Sequence, residues 1–285
     1  LYTPFGGLGV LRYTPATGRV DTIFSREIEI AQAYFIPGTE DILVTGSPNS
    51  FKGIGNVLPD GRTGKPHQHE LFRVNMPTGK VTPLTRDFDP TVEQVQYHAK
   101  GKSFYLLTDN GSRQSLFRLD VKTNKIHAID AKEDVVRGFS VASAGNTFYY
   151  FGQSLNNADR LYSLEPSGKS KLVWDISAEK LRGVKFTPAK DFIYRTPDGV
   201  DIDGWYYLPP NFDPTKKYPM IVYYYGGTLP LSRELETTYD LAMFAAQGYV
   251  AYSLNPRGTV GYGQAFAGDH LNAWGTKTSD DIIGA

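Results

Sequence analysis

Short apolar bursts, each followed by a turn, fill the first two-thirds of the chain. The clearest are "LRYTPATGRV" from Leu11, "LFRVNMPTGKV" from Leu71, "LFRLDVKTNKI" from Leu116 and "LYSLEPSGKSK" from Leu161. Each reads as a strand, a turn rich in Gly, Asn, Pro or Thr, and a second strand. Leu71, Leu116 and Leu161 are spaced by 45 and 45 residues, whereas Leu11 and Leu71 are 60 apart. The excess fits an insertion around "NSFKGIGNVLPDGRTGKPHQH". A second unit recurs between the hairpins, as "EDILVTGS", "KSFYLLTDN" and "NTFYYFGQS". A period of about 40–50 residues holding about four strands is the signature of β-propeller blades. Equal spacing of matched hairpins favours this over an irregular β-sandwich. Residues 1–190 hold roughly three and a half blades, and a closed ring needs about 4–8. The ring is therefore expected to be incomplete on its N-terminal side.

Near Phe186 the pattern changes. "FIYRTPDGVDIDGWYYLPP" predicts a strand, a Pro-Asp-Gly turn and an alternating strand. "MIVYYY" (220–225) is continuously apolar, as expected of a central strand buried on both faces. "ELETTYDLAMFAAQG" places Tyr239, Ala242, Met243 and Ala246 at helical spacing, with Gly248 as a C-terminal cap. "YVAYSLN" is a second buried strand. Strand, helix and strand in that order predict a parallel α/β unit within a mainly parallel sheet. Thr278 to Asp281 has capping-box spacing, so a helix is expected to start there. The predicted fold class is multi-domain, β followed by α/β.

Composition narrows the classes. The 285 residues suggest two domains, and 40% hydrophobic with 21% charged content suits a globular protein. Thirty Lys+Arg balance thirty Asp+Glu. That zero net charge argues against nucleic acid as a partner and against an electrostatic membrane anchor. Aromatic content of 13% leans towards β structure. With no cysteine there is no disulfide, thiolate nucleophile or zinc-thiolate site, although the compartment stays open. No run approaches a membrane span. "LYTPFGG" reads as the middle of a strand, as though the chain were a piece of a larger one.

The candidate chemistry sits at Tyr225, the last side chain before Gly226-Gly227. Sites in parallel sheets form at the carboxyl ends of strands. Two glycines there let the chain turn sharply and let a substrate approach the backbone. A phenol at that point can donate to an oxyanion developing on a carbonyl, or it can simply pack; the residue types alone leave both open. "HQHE" (His67 to Glu70) has two imidazoles and a carboxylate, but its spacing is that of a solvated loop as much as of a metal site. "GRTGKP" is no phosphate loop, because Pro66 replaces the needed Ser or Thr. "NGS" at Asn110 reads as a β-turn. No metal or organic cofactor is called for.

Three stretches taken together carry a resemblance. "DGVDIDGWYYLPPNFDPTKKYPMIVYYYGG", "AAQGYVAYSLNPRGTVGYGQAF" and "NAWGTKTSDDI" are similar to the prolyl oligopeptidase family of serine peptidases. They resemble most the branch of dipeptidyl peptidase IV and the acylaminoacyl peptidases. The resemblance implies the C-terminal blades of a β-propeller over 1–190. It implies the first part of an α/β-hydrolase domain over 191–285. It assigns the Tyr225 hydroxyl to the oxyanion hole, short peptides as substrates and acyl-enzyme chemistry as mechanism. A homodimer is compatible with it.

The family's nucleophile is a serine in a Gly-x-Ser-x-Gly elbow. No such motif occurs here; "GFSVA" around Ser140 lacks the last Gly and falls in a predicted blade. The serine, aspartate and histidine are thus expected beyond Ala285, and missing N-terminal blades before Leu1. His270 comes too early to be the base and is expected at the surface. Arg257-Gly258 matches the family's Arg-Gly loop, where an ion pair with Asp280 or Asp281 is expected. The paired glutamates of the dipeptidyl branch are absent, although Glu27 and Glu29 of "REIEI" would share one strand face. The rival readings are an esterase of the same fold and a non-catalytic propeller that binds a partner.

Overall fold

The computed structural model describes residues 8–285 except 28, 60, 143–147, 166–167, 226–227 and 274. The chain is mostly β, laid out as successive sheets. β1 (Leu8–Thr14) and β2 (Arg19–Glu27) form an antiparallel hairpin. Three antiparallel meanders follow. The first is β3 (Ile30–Phe35), β4 (Asp41–Gly46), β5 (Glu70–Asn75) and β6 (Lys80–Pro83). The second is β7 (Thr91–His98), β8 (Ser103–Asn110), β9 (Arg113–Asp120) and β10 (Ile126–Ala128). The third is β11 (Val135–Val141), β12 (Phe148–Ser154), β13 (Asn157–Leu164) and β14 (Ser170–Asp175). One parallel bridge, Val135 to Gln114, links the last two. Leu71, Leu116 and Leu161 fall on the third strand of the first, second and third meander respectively.

Strand periodicity explains how the meanders stack. On β8, Phe104 and Leu106 pack towards the first meander, against Ile36, Leu43 and Leu71. Their neighbours Tyr105 and Leu107 point the other way, onto Val136, Phe139 and Phe148 of the third. Successive side chains of a strand leave on opposite faces, so a strand covered on both sides must be apolar throughout. "SFYLL" meets that condition. Burying a Leu or Phe fully is worth about 1.5–3 kcal/mol, and both seams are built of such residues. β14 has no such cover: Leu172, Val173 and Trp174 are all exposed.

The fourth sheet contains β15 (Lys190–Arg195), β16 (Asp201–Tyr207), β17 (Met220–Tyr223) and β18 (Val250–Leu254), in the order β15-β16-β18-β17. β17 and β18 are parallel, joined through a helix at Leu241–Ala246, as the strand–helix–strand pattern predicts. The sheet as a whole is not mainly parallel, because β15–β16 and β16–β18 pair antiparallel. Nor is β17 central: it pairs only with β18 among the described residues, and Met220 is 60% exposed. The apolar run was read as burial on two faces, whereas here one edge is open. Asp240 starts the helix by accepting the amides of Ala242 (2.8 Å) and Met243 (3.2 Å). Gly248, at φ 98°, takes the left-handed turn that ends it.

The last helix, Lys277–Gly284, starts where expected, but Thr278 and Asp281 do not cap it. Thr278 and Asp281 lie inside it, and both face Arg257. Thr278 donates to the Arg257 carbonyl (3.1 Å). Asp281, fully buried, accepts the Arg257 amide (2.9 Å) and grips its guanidinium at 2.6–3.1 Å. Asp198 takes the other guanidinium nitrogen at 2.5 Å. Of the two aspartates proposed as partners, Asp281 is the one. Its loss would leave a nearly buried cation half paired, which typically costs about 3–5 kcal/mol. We therefore expect Asp281→Ala to lower the unfolding free energy by about that amount in chemical denaturation. The double variant Arg257→Met/Asp281→Leu should recover most of it.

Glu70 provides a pH-dependent expectation. It begins β5 and is 1% exposed. Thr85 donates to one carboxyl oxygen (2.5 Å) and Gln264 to the other (3.2 Å). Burial, aided by Asp87 and Asp89, outweighs those donors and lifts its pKa from 4.5 to about 8. The folded state thus holds the proton more tightly than the unfolded one. That contribution is complete below the unfolded value and is lost as pH rises through about 8. Glu70→Gln should therefore gain stability relative to the parent between pH 5 and 8. An unchanged difference across urea titrations in that window would refute the assignment.

Candidate active site

Tyr225 lies two residues past the end of β17, on the side where β18 also ends. Two parallel strands deliver their carboxyl ends together, which is where open α/β sheets hold ligands. The ring of Tyr225 is 50% exposed, so it is not a strand end buried in packing. The turn expected at Gly226-Gly227 lies outside the described residues.

The segment after that turn is held by the loop that leaves β18. The Val260 amide donates to the Thr228 carbonyl (3.0 Å). Asn255 treats Leu231 as a strand neighbour would: its Oδ1 accepts the Leu231 amide (2.7 Å) and its Nδ2 donates to the Leu231 carbonyl (2.9 Å). The same Nδ2 donates to the Tyr262 hydroxyl (3.0 Å), which in turn donates to Asp203 (2.5 Å). The second oxygen of Asp203 accepts from Ser112 at 2.7 Å. Burial, then the Asp203 charge, pushes the Tyr262 phenol far above its ordinary pKa, so it stays a donor. Beside this segment lies a polar cavity of about 290 Å³, walled by Trp205, Tyr207, Tyr223, Tyr239, Glu234 and Asp240 among others.

The other residues singled out in the sequence scatter. Arg257 is 4% exposed and occupied by its two aspartates, a structural role. His270 is half-buried against Gly258, and burial lowers its pKa. Ser140 sits on β11 in the sheet stack. Glu27 and Glu29 do not share a strand: β2 ends at Glu27, and Glu29 turns at φ 74° to accept from Ser47 and Asn49. In "HQHE", His69 lies 3.8 Å from Glu93, while Gln68 and Glu70 are buried and used internally. Among the described residues, no group of three or more His, Cys, Asp or Glu could hold a metal ion.

Sequence reasoning missed two contributors. Ser112 of the "NGS" turn was read only as a turn, yet it reaches Asp203 across 91 residues. The adjoining Gly111, at φ 63°, donates its amide to the Gly261 carbonyl (2.8 Å). Lys65 of the insertion is 4% exposed and donates to the Gly258 carbonyl. The turn could have been flagged by its glycine; nothing in the local pattern marks the lysine.

Residues 235–285 match the family model described as the prolyl oligopeptidase family. A dipeptidyl-peptidase 5 of Porphyromonas gingivalis is 29% identical over 219 residues, covering 75% of this chain and 31% of that protein. A dipeptidyl-peptidase 5 of Aspergillus fumigatus is 26% identical over 253 residues, covering 83% of this chain and 33% of that protein. The chain spans about a third of the length of these relatives. Among solved structures, the acylaminoacyl peptidase of Pyrococcus horikoshii superposes with a TM-score of 0.77. It is 20% identical, over 99% of this chain and 41% of that one. The dipeptidyl peptidase 4 of P. gingivalis superposes at 0.61 with 13% identity, over 97% of this chain and 45% of that one. In sequence the chain is thus similar to the prolyl oligopeptidase family over residues 235–285, and over nearly its whole length it shares the fold of the peptidase structures named above.

Proposed function

We propose that these residues belong to a serine peptidase that hydrolyses short peptides through an acyl-enzyme. In this reading residues 1–190 are the C-terminal blades of a β-propeller, about three to four of them, and 191–285 begin an α/β-hydrolase domain. The β1–β2 hairpin and the three meanders supply that number of units. The parallel β17–β18 pair with its connecting helix is what supports a second domain beginning there. The relatives carrying dipeptidyl-peptidase names and the acylaminoacyl peptidase fold point to peptides with a free or blocked amino terminus.

The observation that carries the reading is the open phenol of Tyr225 at the carboxyl end of β17. A serine hydroxyl attacks the peptide carbonyl while a histidine takes its proton. The C=O bond becomes a single bond and the oxygen gains negative charge. The Tyr225 hydroxyl donates to that oxyanion, then the bond to the amine leaving group breaks and the histidine returns the proton to it. A hydrogen bond of this kind strengthens as the charge develops, so it lowers the barrier more than it tightens substrate binding.

Two outcomes are expected. No Gly-x-Ser-x-Gly occurs in the 285 residues. This chain alone should therefore take no label from a fluorophosphonate probe, and a labelled serine within it would sink the reading. In a form that carries the catalytic triad, Tyr225→Phe should reduce kcat by roughly 10²–10³ with little change in KM. A raised KM at constant kcat would make Tyr225 a substrate-binding residue instead.

A further inference from the structure

The 47–69 insertion has an occupation that neither the repeat nor the proposed chemistry explains. Asn49 closes its base: the Asn49 Oδ1 accepts the Gly64 amide (2.8 Å) and its Nδ2 donates to the Gly64 carbonyl (2.8 Å). Next to that closure, Phe51, Lys52 and Gly53 run at φ 53°, 62° and 76°. Two consecutive non-glycine residues in the left-handed region are costly and persist only where their surroundings hold them. The Phe51 ring is held edge-on between Phe24 and Phe72, with centroids 5.2 and 5.1 Å away.

What the strained turn presents is a row of contacts to the loop beyond β18. Gln264 donates to the Gly55 carbonyl (2.9 Å) and accepts the Val57 amide (3.1 Å). Gln68 accepts the Gly261 amide (3.1 Å). Between them the Lys65 ammonium, 4% exposed, donates to the carbonyl of Gly258. Among the described residues no carboxylate lies within ion-pair distance of Lys65, and burial lowers its pKa to about 8. A buried lysine without a counter-ion is expensive, so its single carbonyl acceptor matters. Gly258 itself stands at φ 102° with His270 against it, leaving no room there for a side chain.

We infer that Lys65 is a positioning residue for the 228–231 segment that follows Tyr225, with the insertion acting as a clasp on the Arg257 loop. Lys65 fixes the Gly258 carbonyl. Two residues on, the Val260 amide holds the Thr228 carbonyl at 3.0 Å, three residues after Tyr225. Asn255, at the other end of the loop, holds Leu231. The clasp therefore reaches the segment after Tyr225 through side-chain bonds to the backbone of the Arg257 loop and then the Val260–Thr228 backbone bond, over a sequence distance of 209 residues at its longest step. The relevance to catalysis rests on the oxyanion reading of Tyr225; the clasp itself does not.

Amide hydrogen exchange of the full 285-residue chain tests it. Lys65→Met removes the donor and keeps the stem. Exchange should rise about tenfold or more in peptides spanning 228–231 and 257–263, and stay unchanged in β8 and β9. Lys65→Arg, which restores a cationic donor, should recover most of the protection. Tyr225→Phe should leave all of it unchanged, which separates the clasp from the oxyanion reading. Unaltered exchange in Lys65→Met, or a rise confined to 47–69, overturns the proposal. If Lys65→Met exchanges uniformly, Lys65→Gln carries the same comparison, and uniform exchange there overturns it too.

Discussion

Polar groups withdrawn from water must find partners, and that constraint governs the contact between the sheet stack and the fourth sheet. Asp203 is the clearest case. It sits on β16, and both its oxygens are taken by hydroxyls, one from the stack and one from the loop after β18. Arg233 is another, at 8% exposure. It pairs with Asp134 of the stack (3.0 Å) and Asp191 of β15 (2.6 Å), and lies over the Trp205 ring. Removing either side of such a pair strands a charge in a medium that solvates it poorly. The two parts are therefore seated by directional bonds, which set an orientation that apolar contact alone would not.

The same constraint shapes the surroundings of Tyr225. Its strand is short and open along one edge, so the sheet contributes little to its rigidity. The segment that follows Tyr225 is held by the loop past β18. That loop is anchored below by the Arg257–Asp281 pair and above by the insertion, and it holds residues 228–231 between. A donor aimed at a transient oxyanion is useful only if it is already in place when charge appears. Under the oxyanion role proposed for Tyr225, anchoring by several independent bonds would be the physical means of having it there.

The repeat and the meanders were legible because strand pairing between sequence neighbours depends on local sterics and turn chemistry. The alternating apolar positions and the Gly-containing turns specify a hairpin wherever they occur. That an apolar run marks a strand covered on both faces holds in the structure for "SFYLL" of β8. The same inference failed for "MIVYYY". An apolar run states what a strand can tolerate, not which neighbours it has, and among the described residues β17 has one. Thr278 and Asp281 failed for a related reason. Their spacing fits a cap, but a buried guanidinium offered both residues a stronger partner.

By itself, the sequence determined the β-rich repeat, the change of pattern near residue 186, and a tyrosine at a strand's carboxyl end. All three follow from periodicity and turn residues within a few positions of one another. Tertiary structure alone decided that Lys65 and Glu70 are buried, that Ser112 reaches Asp203, and that His270 packs under Gly258. Those partners lie tens to nearly two hundred residues apart. A lysine or glutamate carries no local mark of the carbonyl or glutamine that will meet it, because burial is a property of the packed chain and not of its neighbours in sequence.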